Sequence, residues 1–152
     1  MTAQRLNPGS RTGYTITLNS LASATYVASS AVDLADGNGL TPLDVIVEVE
    51  ITPGTVSGNK QAKVFVQASL DATNYSTGPT SGTTTTDEPD LLFLGVLPLN
   101  SASTLQRKQF SVLACLGFVP RAHKLVVLND SGAAFAGSGC AANYQQISGD
   151  SR

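Results

Sequence analysis

Apolar and polar residues alternate along much of this chain. Leu43, Val45, Val47, Val49 and Ile51 share one parity, and Asp44, Ile46, Glu48 and Glu50 share the other. That period of two predicts a strand with one buried and one wet face. Ala62, Val64, Val66, Ala68 and Leu70 repeat it, with Lys63, Phe65, Gln67 and Ser69 between them. The residues between, 52–59, carry Pro53-Gly54 and Gly58-Asn59, so the two segments are expected to be neighbouring antiparallel strands. Weaker strands are expected at 14–18, 26–34, 106–113, 124–128 and 142–147. No stretch of helical length carries an apolar stripe at helical spacing. Short strands separated by Gly, Pro, Asn and Asp predict an all-β chain, a single-domain antiparallel sandwich or barrel.

Two segments depart from the pattern. Leu91, Leu92, Phe93, Leu94, Val96 and Leu97 make a strand apolar on both faces. One reading is a central strand capped by a loop, and the other is burial against another subunit. Residues 71–90 hold only Ala72 and Tyr75 as apolar groups, a loop length that in a compact domain signals function or disorder. Residues 1–13, broken by Pro8, Gly9 and Gly13, read as an extended arm, with the sandwich at 14–147 and a polar tail at 148–152.

The length suits one domain, and no apolar run approaches the ~20 residues of a membrane helix. No apolar signal-peptide core is visible near Met1, so no secretory signal is read in this chain. Only 13% of residues are charged, against about 25% in ordinary domains. The net charge of −2 argues against a nucleic-acid binder. The charges fall in blocks: basic through Arg5 and Arg11, acidic from Asp33 to Glu50, acidic again at Asp87, Glu88 and Asp90, then basic from Arg107 to Lys124. Such blocks either orient copies against a partner or become interleaved on folding.

The candidate chemistry is sparse. His123 is the only histidine and no Gly-x-Ser-x-Gly elbow occurs, so a Ser-His-Asp triad lacks support and a structural or surface histidine is expected. Cys115, in an apolar setting, reads as a small buried hydrophobe, and with Cys140 as two free thiols. Residues 33–39 resemble a calcium loop only faintly and read as a tight turn. Asp87, Glu88 and Asp90 are a conceivable carboxylate site for a small hydrolase, but a solvated loop is the simpler reading. No cofactor, metal, membrane or nucleic-acid partner is expected.

The run Asp44-Val45-Ile46-Val47-Glu48-Val49-Glu50, then residues 62–71 and Tyr75, then residues 125–135 with Gly139, resembles the capsid decoration, or cement, proteins of tailed bacteriophages. The likeness covers roughly residues 43–147 and is one of style and spacing. It implies a jelly-roll sandwich, with the immunoglobulin-like arrangement as the alternative. It further implies a non-enzymatic virion protein on the capsid exterior, assembled in the host cytoplasm and binding the major capsid protein as a homo-oligomer, dimer or trimer. The residues expected to meet a partner are Arg5, Arg11, Tyr75, Asp87, Glu88, Asp90, Leu91, Leu92, Phe93 and Leu94. The competing reading is a ligand- or carbohydrate-binding module of a phage tail or fibre. Its aromatic supply is limited to tyrosines, since tryptophan is absent.

Overall fold

The computed structural model describes the backbone of residues 4–151 and the side chains of residues 6–149. Two antiparallel sheets pack face to face as a β-sandwich. The front sheet has the order β1 (Gln4–Pro8), β11 (Ala141–Ser151), β5 (Asp44–Ile51), β9 (Gln106–Ser111), with β2 (Thr12–Gly13) also paired to β11. The back sheet has the order β7 (Ser81–Gly82), β3 (Tyr26–Ala28), β10 (Ala122–Asp130), β6 (Gln61–Ser69), β8 (Leu92–Pro98), with β4 (Val32–Asp33) also paired to β10. A single helical turn, α1 (Val112–Leu116), follows β9; Ser111 caps it by accepting from the Ala114 amide, and Gly117 ends it.

The two best-patterned strands exist as expected but are not neighbours: β5 lies in the front sheet and β6 in the back. Both carry an apolar ladder that needs the same core, and facing it from opposite sides buries both. Val45, Val47, Val49 and Ile51 meet Ala62, Val64 and Val66, joined by Leu125 and Val127 of β10, all fully shielded from solvent. Each buried valine, leucine or isoleucine among them contributes about 1.5–3 kcal/mol. Alternation reports which face is buried and is silent on which strand lies alongside.

Other expectations shift in detail. Residues 14–18 form no strand, although Tyr14 and Leu18 are buried in the core. The 26–34 segment is broken into β3 and β4, where Ser29 accepts from the Leu125 amide through its hydroxyl. The 91–97 segment is β8, an edge strand beside β6 and not a central one. Of this segment the loop before it covers Leu91, and Phe93 stays exposed. Tyr26, Phe65, Leu91, Val126 and Leu128 form a second apolar cluster on the outer face of the back sheet, and the chain from 77 to 91 folds across it. Gly78 makes this crossing possible: its φ is +134°, and a Cβ there would lie 2.6 Å from the Leu91 side chain.

The segment read as an arm is paired structure. Gln4 to Pro8 run antiparallel to β11, and residues 148–151 of the polar tail are the end of β11 itself. Gly9 pairs with Gln146 but Thr12 with Tyr144, so Ser10 and Arg11 form a one-residue bulge opposite Gln145.

At the β8 bulge Gly95 has φ +146°, and a Cβ there would stand 2.9 Å from the Phe110 ring. Gly95→Ala is expected to cost about 1–3 kcal/mol in a urea titration through backbone strain alone. Gly37→Ala, at an open position with nothing within 4 Å, should stay within about 0.5 kcal/mol of the parent.

Candidate functional site

Charges separated along the chain are interleaved by the fold. The Arg11 bulge directs its guanidinium across β11 onto Glu48 (2.6 Å) and Glu50 (2.7 Å) of β5. Arg107 approaches Glu50 and Arg121 approaches Asp33. Gln109 donates to Glu48 at 2.9 Å, and that bond, with Arg11, holds the Glu48 carboxyl below the ordinary glutamate range. Arg11 is therefore engaged within its own chain. The Arg5 side chain lies outside the described residues.

The remaining expected site residues fall in three places. Leu94 is buried and Leu92 half-buried in the core between the sheets, whereas on the outer face of the back sheet Leu91 is buried and Phe93 is exposed with its ring 5.3 Å from Phe65. Glu88 accepts from the Tyr26 hydroxyl and Asp90 from the Thr77 hydroxyl, so these carboxylates fasten the loop over its apolar cluster, while Asp87 is exposed. Tyr75 lies elsewhere, beside the end of β6, with the Lys124 ammonium 4.4 Å from its ring centroid. The structure does not bring these residues together into one site.

What it does bring together was not anticipated from the sequence. One end of the sandwich is marked by the start of β5 and β10 and the end of β6 and β9. Leu40 and Leu43 precede β5, Leu70 follows β6, Leu113 lies on α1 and Phe118 precedes β10. These are among the exposed large apolar residues, Leu70 at 88% and Leu40 at 67%. With Leu6 on the β1 ribbon they form an apolar end; among the described residues only Phe93 and Leu105 are comparable elsewhere. Two concavities open there. One of about 660 Å³ lies against Leu6, Leu43, Ile46, Leu113 and Ile147. Another of about 410 Å³ lies against Leu70, Tyr75, Phe118 and Pro120.

The end is held in shape by polar anchors. The Asp44 carboxylate accepts from Ser111 Oγ (2.6 Å) and the Leu113 amide (2.9 Å), fixing α1 to β5. Asp71 accepts from the Asn74 amide (2.7 Å), Asn74 Nδ2, the Thr73 amide and Ser69 Oγ, which together hold its carboxyl far below the usual range. That closed loop presents Leu70 and Tyr75. Asp36 accepts from the Asn38 and Leu40 amides, the tight turn expected at 33–39.

His123 is a core residue, 1% exposed. Its Nε2 lies 2.6 Å from the Tyr14 hydroxyl, and Tyr14 packs in turn on Tyr144. Either tautomer leaves Nδ1 without a partner among the described residues. Cys115 and Cys140 are free, as expected; Cys115 is exposed on α1 and not buried, because the apolar run around it turns as a helix whose buried residue is Val112.

No protein-family model and no curated relative matches this chain.

Burial lowers the His123 pKa from 6.5 to about 4, so the fold holds the neutral ring. An unfolded histidine binds its proton first. Stability is therefore complete above pH 6.5 and falls as pH drops towards 4, by about 3 kcal/mol in all. His123→Gln keeps a polar partner for Tyr14 without titrating. Subtracting its urea-midpoint profile from the parent's should leave a descending limb between pH 6.5 and 4; a flat difference would contradict this assignment.

Proposed function

We propose that this chain is a non-enzymatic structural protein, a decoration protein of a tailed-phage head that binds and stabilises the shell of the major capsid protein. The observation that carries this reading is the apolar end. Large apolar side chains from several separate chain segments project together into solvent there, on a scaffold that pairs Arg11, Arg107 and Arg121 with its own carboxylates. Exposed apolar patches with polar rims are the usual currency of protein docking. A rigid sandwich presenting one such end can sit on a repeating surface, where each copy adds the same contact. The outer-face carboxylates serve the fold in this reading and do no chemistry.

A carbohydrate-binding module of a tail or fibre would use the concavity beside Tyr75. The Lys124 ammonium already covers one face of that ring, which opposes the stacking a sugar needs and makes docking the stronger reading.

The test adds the purified protein to phage heads that lack it and follows heat-induced DNA release. Protected heads are expected, with the protein found on them by mass spectrometry. Leu70→Asp combined with Phe118→Asp should weaken that binding about tenfold or more, equivalent to ~1.4 kcal/mol. The variant's own melting should barely move, because both side chains are exposed. Absence of binding or of protection rejects the reading.

A further inference from the structure

We propose that the free edge of β1 is a self-association surface, at which two copies of this chain pair antiparallel about a two-fold axis through Leu6. The argument starts from main-chain direction. The Gly9 amide donates to the Gln146 carbonyl at 2.8 Å, and the Tyr14 amide to the Ala142 carbonyl at 2.9 Å. Even-numbered residues of β11 thus turn their polar groups towards this edge. The register sets Arg5 opposite Asp150 and Asn7 opposite Ser148. By the alternation of an antiparallel ladder, residues 5, 7 and 9 point at β11, and Gln4, Leu6 and Pro8 point outward. Among the described residues no strand covers that outward side. Pro8 is tolerated in β1 because its missing N–H lies on the open side.

Those outward groups select one pairing. With Leu6 opposite Leu6 of the second copy, each donates its amide to the other's carbonyl. The Gln4 amide of each copy then donates to the Pro8 carbonyl of the other, so Pro8 is used only as an acceptor. Centring the pair on Asn7 instead sets Pro8 against Leu6 and leaves two hydrogen bonds among residues 4–8 where the Leu6 register makes four. Centring it on Arg5 sets two arginine positions directly opposite, where like charges destabilise a ladder. The Leu6 register sets Arg5 against Asn7 and keeps four hydrogen bonds.

The side chains agree with the backbone. Leu6 is 71% exposed and lies on the same face as Pro8 and Ile147, at the rim of the 660 Å³ concavity. Pairing brings the two Leu6 side chains together and joins the two apolar grooves across the axis, an isologous contact. It also supplies what the ribbon lacks. β5 pairs with β11 only as far as Ile147, so, among the described residues, 148–151 have β1 as their one strand partner. A two-stranded ribbon is marginal by itself, and the dimer makes it part of a continuous sheet. This inference stands apart from the capsid reading, and its test contains no shell.

In a Cys115→Ser, Cys140→Ser background, Leu6→Cys is expected to form a disulfide-linked dimer under mild oxidation. Its Cα atoms would be about 5.5 Å apart across a hydrogen-bonded pair, inside the disulfide range. Asn7→Cys in the same background should not cross-link, because its Cα atoms would be about 8 Å apart from the strand rise and spacing. Sedimentation across a dilution series should show a dimer for the parent and a monomer for Leu6→Asp, with the circular dichroism of both alike. A parent that stays monomeric, equal cross-linking at positions 6 and 7, or a dimer that survives Leu6→Asp would each overturn the proposal.

Discussion

The apolar ladders of β5 and β6 need one another. Neither strand can bury its valines alone, and the chain joins them through residues 52–60, long enough to pass from one sheet to the other. Once they face each other, β11 and β9 have places beside β5, and β10 and β8 have places beside β6. His123 then becomes a buried group on β10, and Tyr14 is drawn in from outside any strand to meet it. Tyr14 is raised well above its ordinary pKa by the same burial. The core sets the ionisation of both residues, not any designed chemistry.

The two outer faces solve their exposure differently. On the front sheet, Glu48 and Glu50 draw in Arg11 and Arg107, so acids and bases far apart in the chain neutralise each other locally. On the back sheet, Phe65, Val126 and Leu128 face outward and need cover. The long polar loop provides it, fastened by the Tyr26–Glu88 and Thr77–Asp90 hydrogen bonds. Arg11, Glu88 and Asp90, which looked like candidates for recognition or acid–base work, are thus occupied in closing the molecule. The surface left unsatisfied is the apolar end with its adjoining β1 ribbon, and both proposals arise there.

How much of this was legible follows from what each signal measures. Alternation at 43–51 and 62–70 measures burial of one face, and those strands are present, as is the strand with apolar residues on both faces at 124–128. The two-sided apolar pattern at 91–97 called for a cover, and the loop before it shelters Leu91 while Phe93 stays exposed. Pairing left no comparable trace: the edge position of β8, the separation of β5 from β6, and β1 as a strand depend on contacts between distant residues. The apolar end was invisible for the same reason. Leu43 and Leu70 continue the parity of buried ladders and look like core, but β5 begins at Asp44 and β6 stops at Ser69. One residue beyond the ladder, the same parity points into solvent.

The sequence by itself determined an all-β chain, the identity of most core-facing positions and the places where turns interrupt them. These are local matters: side-chain direction alternates with every residue, and Gly, Pro, Asn and Asp bias dihedrals where they stand. Only the tertiary structure decided which strands are neighbours, which charges cancel, and where apolar side chains remain uncovered. Each of those depends on the meeting of segments tens of residues apart, and the free energy of such a meeting belongs to the pair and is written in neither segment alone.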